Sequence, residues 1–318
     1  MIIVFGSINL DLIFPVPSLP GPGQTVLGPD LRVEPGGKGA NQAIAAARDG
    51  AAVGFAGAVG RDSFAAPALA GLHAAGIDLS RLARVAASTG VAAITVDPAG
   101  SNQIAVAAGA NILARAAQVE DAALGPGTTL VLQMECDPDE TAALVRRARA
   151  RGARILLNLA PPGPLAADVL AALDFLLVNE DESAWLAARL GTAAEAATLA
   201  EKLGIGIVRT LGAAGAEAAS GREILRLPAR PVKVVDTTAA GDCLAGVLAA
   251  ALDRGTPLPA ALARAITAAG LCCARAGSQR SLPESAETDA ALAADCAGAS
   301  EALPSAGGRA HRTEGGTT

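Results

Sequence analysis

After about residue 111 the chain alternates between short apolar strand-like runs and helix-patterned runs, a regularity that few architectures accept. Strands read over 130–133, 154–158, 175–179 and 206–211, with helices over 139–151 and 182–190 between them. Unbroken apolar strands separated by helical crossovers belong to sheets that are mostly parallel and covered on both faces. The first part obeys the same logic, with a strand over 1–5, a helix over 40–49, a strand over 53–59 and a helix over 63–75. Two Ala-rich helices read over 241–252 and 259–275, where small side chains allow close packing.

Two stretches break the pattern. Residues 14–35 are crowded with Pro and Gly and carry short alternating runs (Thr25, Val26, Leu27; Leu31, Arg32, Val33), as in a small solvent-facing sheet. Residues 91–96 and 103–107 form an alternating pair around Asp97-Pro98-Ala99-Gly100, a hairpin signal that could complete that sheet. Beyond Cys296 the chain is Gly, Ser, Ala and Thr with scattered charge, and no packed structure is expected.

Composition narrows the function classes. The 318 residues suffice for a large α/β domain and an enzyme-sized core. The longest apolar stretch, 243–252, is fenced by Asp242 and Asp253 and is too short to cross a bilayer. The opening Met-Ile-Ile-Val-Phe-Gly has no basic region or cleavage site of a secretory signal, so a cytoplasmic location is expected. A net charge of −6 argues against a nucleic-acid surface, and the basic run Arg146, Arg147, Arg149, Arg151, Arg154 does not stay on one helical face. The five cysteines show no C-x-x-C spacing and read as small buried apolar residues. Only two histidines occur, His73 and, in the tail, His311, so no Ser-His-Asp or Cys-His arrangement is expected.

The strongest chemical segment is Asp236-Thr237-Thr238-Ala239-Ala240-Gly241-Asp242, followed directly by an apolar helix. Small residues let backbone approach a ligand, and successive amides at a helix start make an anion hole. Asp242 in the first turn could then take a proton from a hydroxyl while those amides hold a phosphoryl group. By the plain reading, Asp236 or Asp242 only caps the helix. Glu34-Pro35-Gly36-Gly37-Lys38-Gly39-Ala40-Asn41 fails the P-loop pattern, because Gly follows Lys38 and the upstream Gly is missing. It suits a polyhydroxylated ligand facing backbone amides and Asn41, with Asp11 approaching from the end of the first strand, or else an ordinary loop before a helix. Asn179-Glu180-Asp181-Glu182 could bind magnesium through water or simply cap a helix. The turn Thr210-Leu211-Gly212-Ala213-Ala214-Gly215 could admit a nucleotide or be only a turn. Gly54, Gly57 and Gly60 lack the spacing of a dinucleotide fold, which disfavours an oxidoreductase.

Taken together and in this order, these segments resemble the PfkB carbohydrate kinase family. Agreement runs from about Ile2 to Pro283 and includes Gly6-Ser7-Ile8-Asn9-Leu10-Asp11, Gly36-Gly37-Lys38-Gly39-Ala40-Asn41-Gln42-Ala43, Gly60-x-Asp62, Ser88-Thr89-Gly90-Val91-Ala92, Ala108-Gly109-Ala110-Asn111, Asn179-x-x-Glu182 and Asp236-Thr237-x-Ala239-Ala240-Gly241-Asp242. The resemblance implies an α/β three-layer sandwich with a mostly parallel central sheet and a small β lid. The core would span 1–13, 36–88 and 109–296, the lid 14–35 and 89–108, and the tail 297–318. It further implies ATP and Mg²⁺ as co-substrates and a homodimer whose lids clasp.

Carried onto matching positions, the resemblance makes Asp242 the general base and Ala239, Ala240 and Gly241 the anion hole. Asn9, Asp11, Gly36, Gly37, Lys38, Asn41 and Glu135 would meet the sugar. Asn179, Thr210, Leu211, Gly212, Ala213, Ala214, Gly215 and Gly241 would meet ATP, and Glu182 would serve magnesium. A monovalent cation, K⁺, would sit by Asp236, the Thr238 carbonyl, Cys272, Arg275, Gly277 and Ser281. Leu244 stands where the family often has Phe, and Val247 follows Gly246 where a smaller residue is usual; both are packing changes beside the catalytic helix. Within the family, the Gly36-to-Asn41 segment with Ala239-Ala240-Gly241 favours phosphorylation of ribose at its primary hydroxyl. A kinase of deoxyribose, a nucleoside or fructose is the alternative. A non-catalytic binding relative is disfavoured, because it would be free to lose Asp242, Glu182 and the glycine-rich hole.

Overall fold

The computed structural model describes the backbone over residues 1–301 and side chains over 1–295. In chain order the elements are β1 (Ile2–Phe5), β2 (Asn9–Pro15), β3 (Arg32–Gly36), α1 (Lys38–Arg48), β4 (Val53–Val59), α2 (Ala65–Ala74), β5 (Asp78–Arg84), β6 (Gly90–Val96) and β7 (Asn102–Ala107). There follow β8 (Thr129–Leu132), α3 (Pro138–Arg151), β9 (Arg154–Asn158), α4 (Ala167–Ala171), β10 (Phe175–Val178), α5 (Glu180–Leu190), α6 (Ala196–Leu203), β11 (Gly206–Thr210), β12 (Ala216–Ser220), β13 (Glu223–Leu227), α7 (Ala240–Asp253), α8 (Leu258–Cys273) and α9 (Ser285–Glu301).

A nine-stranded sheet runs β13-β12-β11-β10-β9-β8-β1-β4-β5, parallel except for the β12–β13 hairpin at one edge. Because side chains alternate along a strand, each central strand feeds both faces. Ile2 and Val4 enter the core under α1, α2, α7 and α8, whereas Ile3 and Phe5 enter the core under α3, α4, α5 and α6. The expected three layers are present, with β1 flanked by β4 on one side and β8 on the other. Strand order reverses there, and such a reversal opens a crevice at the carboxyl ends of the strands. Gly6-Ser7 and Gln133-Met134-Glu135 lie at that crevice.

Local signals explain the helix ends that shape it. Asp137 caps α3 through bonds from the Asp139 and Glu140 amides, Pro138 occupies the first helical position, and Gly152 ends the helix at φ 79°. α1 and α7 pack at very close range, because a side chain on Gly246 would come 2.3 Å from the Gln42 carbonyl.

A second, four-stranded sheet runs β3-β2-β6-β7. Every residue of β7 is exposed. The first lid strand begins at Asn9, so the boundary expected after residue 13 cuts β2, and 16–31 connects β2 to β3 without strand structure. Elements that escaped the sequence reading include β5, α4, α6, the two strands of the β12–β13 hairpin and α9. β5 is a charged edge strand (Asp78, Arg81, Arg84) without an apolar run, and Ala-rich β12 shows little alternation. α9 continues to Glu301, past the expected start of the tail at 297, while the expectation for 302–318 lies outside the described residues.

Candidate active site

The glycine-rich turn into α1 and the first turn of α7 meet at the crevice. Gly37 adopts φ 92°, and a side chain there would lie 2.7 Å from the Asn9 amide, so only glycine lets the chain turn this close to β2. The turn presents Asn41 and Gln42 toward α7. Asn41 Nδ2 donates to one Asp242 carboxylate oxygen at 3.0 Å, and Gln42 Nε2 donates to the other at 2.9 Å. Gln133 Nε2 in turn donates to Gln42 Oε1 at 2.7 Å, which fixes which way the Gln42 amide points. Asp242 is thus buried, doubly hydrogen-bonded and oriented from behind.

Ahead of Asp242, Ala239 sits in the left-handed region at φ 61°, the one non-glycine residue with positive φ among the described residues. That conformation costs about 1–2 kcal/mol for an alanine and turns successive amides toward one point. The Ala240 N–H reaches Thr237 O at 3.2 Å and the Cys243 N–H reaches Ala239 O at 2.8 Å, so the Gly241 and Asp242 amides between them have no helical acceptor. They face a cavity of about 240 Å³ bounded by Lys38, Asn158, Asn179, Glu182, Thr237 and Asp242 among others. The Asp242 carboxylate is the foremost influence holding the Lys38 ammonium above its usual range; burial opposes it, and Glu135, Glu182 and Asp11 add to it.

Glu182 closes a reciprocal cap on α5, accepting from the Asn179 amide at 2.7 Å while Asn179 Oδ1 accepts from the Glu182 amide at 2.8 Å. Burial pushes the Glu182 carboxyl up, opposed by the Asn179 bond and the Lys38 charge. Asn158 Oδ1 is buried without a partner and belongs to the same cavity wall.

A larger cavity of about 510 Å³ adjoins the first and shares Thr210, Thr237, Ala240, Gly241 and Leu244 with it. Gly212, Ala213 and Gly215 form one wall, and Val234, Ile266 and Cys273 contribute apolar surface. Leu211 and Ala214 do not line it: they build the turn, through the bonds Leu211 N to Gly215 O and Ala214 N to Leu211 O.

On the lid side, Glu135 accepts from Ser7 Oγ at 2.5 Å and from the Lys38 amide at 3.2 Å. Asn9 Oδ1 accepts from Asn111 Nδ2 at 2.8 Å. A side chain on Gly36 would collide with the Asp11 carboxylate at 2.2 Å, so that glycine makes room for Asp11. Burial first, then the charges of Glu135, Glu34 and Asp242, raise the Asp11 pKa to about 7, with Lys38 opposing. Asn41 Oδ1 is buried with no partner.

Beside the anion-hole turn, Asp236 accepts from the Thr238 amide and hydroxyl and from the Gly277 amide. Burial would raise its pKa, but these bonds outweigh it and hold the carboxyl below its ordinary value. The Thr238 carbonyl receives the Cys272 thiol at 3.7 Å, and Cys272 Sγ lies 3.0 Å from Ser281 Oγ. Arg275 turns away to pair with Glu287, so only its backbone could meet a cation. Sequence reasoning passed over Gln42, Gln133, Ser7, Asn158 and Thr237. Gln42, Ser7 and Thr237 stand inside the glycine-bearing segments quoted for the site; Gln133 and Asn158 lie at strand ends with no signature of their own.

A hydroxyl placed between such a carboxylate and such an amide cluster can lose its proton as a phosphoryl group arrives, which is the equipment of a small-molecule phosphotransferase. The chain belongs to the pfkB family of carbohydrate kinases, whose family model matches residues 1–285. It is an ATP-dependent sugar kinase. It is 34% identical to the ribokinase of Schizosaccharomyces pombe over 310 residues, covering 91% of this chain and 96% of the relative. Among solved structures, a Thermotoga maritima ribokinase aligns with a TM-score of 0.85 at 31% identity, covering 92% of this chain and 99% of that one. An Arabidopsis thaliana ribokinase complexed with ribose and ATP aligns with a TM-score of 0.81 at 26% identity, covering 92% of this chain and 98% of that one.

Proposed function

We propose that this enzyme is a ribokinase, transferring the γ-phosphoryl group of ATP to the primary hydroxyl of D-ribose to give D-ribose 5-phosphate and ADP. The carrying observation is Asp242, buried in the first turn of α7, gripped by Asn41 and Gln42 and followed outward by amides without partners. Asp242 takes the hydroxyl proton. The free Gly241 and Asp242 amides, rather than the Ala240 amide that is bonded to Thr237, form the anion hole at the Ala239–Gly241 turn, and with the Lys38 ammonium they stabilise charge on the transferring group. Asp11 and the orphaned Asn41 Oδ1 accept from ring hydroxyls, with Asn9, Gly36, Gly37 and Glu135 shaping that seat. The larger cavity takes the nucleoside, its glycine turn (Gly212, Gly215) on one side and Ile266 on the other.

Magnesium fits beside Glu182 and the orphaned Asn158 oxygen, which can accept from its water shell; it would neutralise phosphate charge. No cluster of three or more His, Cys, Asp or Glu side chains suited to a metal exists among the described residues, so the phosphates would be its main ligands. A potassium ion fits the oxygen-rich corner of Asp236, the Thr238 carbonyl and the Gly277–Ser281 loop, where its charge would order the anion hole. No described helix is long and apolar enough to cross a membrane, and we place the enzyme in the cytoplasm as a homodimer joined through the lid sheets.

The test follows ADP release by the unaltered enzyme and by Asp242→Asn with ribose, 2-deoxyribose, fructose and a nucleoside. Removing a hydroxyl strands a buried acceptor at about 1–3 kcal/mol, so ribose should exceed 2-deoxyribose in kcat/KM by roughly tenfold to a hundredfold. Asp242→Asn should lower kcat by about 10²-fold or more on every sugar. A preference for deoxyribose, fructose or a nucleoside would overturn the ribose assignment and leave the kinase; near-normal kcat in the variant would remove Asp242 as the base.

A further inference from the structure

The edge strand of the lid sheet is tied to the loop that braces the anion hole. Glu34 in β3 stands opposite Asp11 of β2 in the antiparallel ladder and is only 7% exposed. Its carboxylate is not turned to solvent but to the 277–281 loop, where it pairs with Arg280 and where a side chain on Gly277 would fall 2.9 Å from Glu34 Oε2. The next residue repeats the attachment: Ser278 Oγ donates to the Pro35 carbonyl at 2.9 Å. From the same loop the Gly277 amide donates to Asp236 at 2.9 Å, and Asp236 holds the Thr238 amide and hydroxyl directly before Ala239. One line of contacts thus runs from Asp11, through Glu34 and Arg280, to the turn carrying the amides of α7.

We propose that Glu34 and Arg280 are positioning residues that couple occupancy of the sugar seat to the order of the anion-hole turn and its cation corner. The coupling rests on the reading above, in which Asp11 meets the sugar and Asp236 borders a monovalent cation. A sugar drawing β2 and β3 inward fixes Glu34, Glu34 fixes Arg280 and Gly277, and Gly277 fixes Asp236. By linkage, a cation that orders the Asp236 corner must tighten sugar binding by the same factor as sugar tightens the cation. Glu34 gives the link its rigidity, because a buried carboxylate stripped of its partner is costly and cannot swing freely. An ion pair exposed at both ends would contribute little.

The experiment measures ribose affinity calorimetrically on the full chain without nucleotide, in potassium and in tetramethylammonium salts of equal ionic strength. The unaltered protein should bind ribose about 5-fold or more tightly in potassium. In Arg280→Gln, which changes an exposed side chain and spares the fold, and in Glu34→Gln, the ratio should fall toward one, and the exchanged pair Glu34→Lys with Arg280→Glu should recover much of it. Melting temperatures run alongside separate coupling from plain loss of stability. Variants that bind ribose more weakly by equal factors in both salts would overturn the coupling, as would an Arg280→Gln ratio equal to that of the unaltered protein. Ribose binding indifferent to potassium in the unaltered protein would overturn the coupling and leave the kinase reading. No ribose binding in any protein would overturn the ribose assignment and the coupling with it.

Discussion

Asp11 is an aspartate whose surroundings favour its neutral form. Burial and the neighbouring Glu135, Glu34 and Asp242 raise its pKa from 3.8 to about 7. Between those values the folded chain binds more protons at this site than the unfolded chain, so the group's contribution to stability falls as pH rises from about 4 to about 7. Asp11→Asn cannot ionise and escapes that loss. Ligand-free, it should be more stable than the unaltered enzyme at pH 8 by at most about 4 kcal/mol, seen as a higher melting temperature, with the gap closing toward pH 4. Equal melting curves at pH 8 would show that the carboxylate is already relieved by solvent. At this scale the sequence was a good guide to residue types with short polar side chains beside glycines. It could not show that Gln42 and Gln133 aim Asp242, because glutamines in a helix and at a strand end carry no pattern that distinguishes support from surface.

α1 and α7 form the element pair on which the site depends, and two glycines of α7 do different work. A methyl on Gly246 would press within 2.3 Å of the Gln42 carbonyl, whereas one on Gly241 meets nothing within 4 Å. Gly246→Ala should therefore cost about 1–3 kcal/mol of stability through overpacking and disturb the Asn41 and Gln42 bonds to Asp242. Gly241→Ala should melt no lower than the unaltered enzyme yet lose activity with ATP, since its methyl projects into the cavity. Thermal melts paired with kcat/KM for ATP separate the cases. The alternation of apolar strand and helix made the parallel core readable, because buried strands such as β8, β9 and β10 have no polar face to obscure them. β5, β12 and β13 were missed for the converse reason: edge strands tolerate charge and small residues. The lid was expected to begin at 14, five residues after β2 does, because Asn9 and Asp11 interrupt the apolar run; the same side chains belong to the candidate site.

Across the molecule, order is distributed unevenly. The main sheet buries side chains on both faces, but the lid sheet leaves β7 exposed along its length, with Ile104 and Val106 more than half accessible. Exposed apolar side chains on an unpaired edge invite a partner. Light scattering should report a dimer at micromolar protein, and Ile104→Glu with Val106→Glu should yield a monomer with the core's melting transition retained. A monomeric unaltered protein would refute the lid interface. A small sheet without a core of its own is held only as firmly as whatever covers it. If a second copy is that cover, lid order follows mass action, and specific activity should fall on dilution below the dimer's dissociation constant even though no catalytic residue has changed.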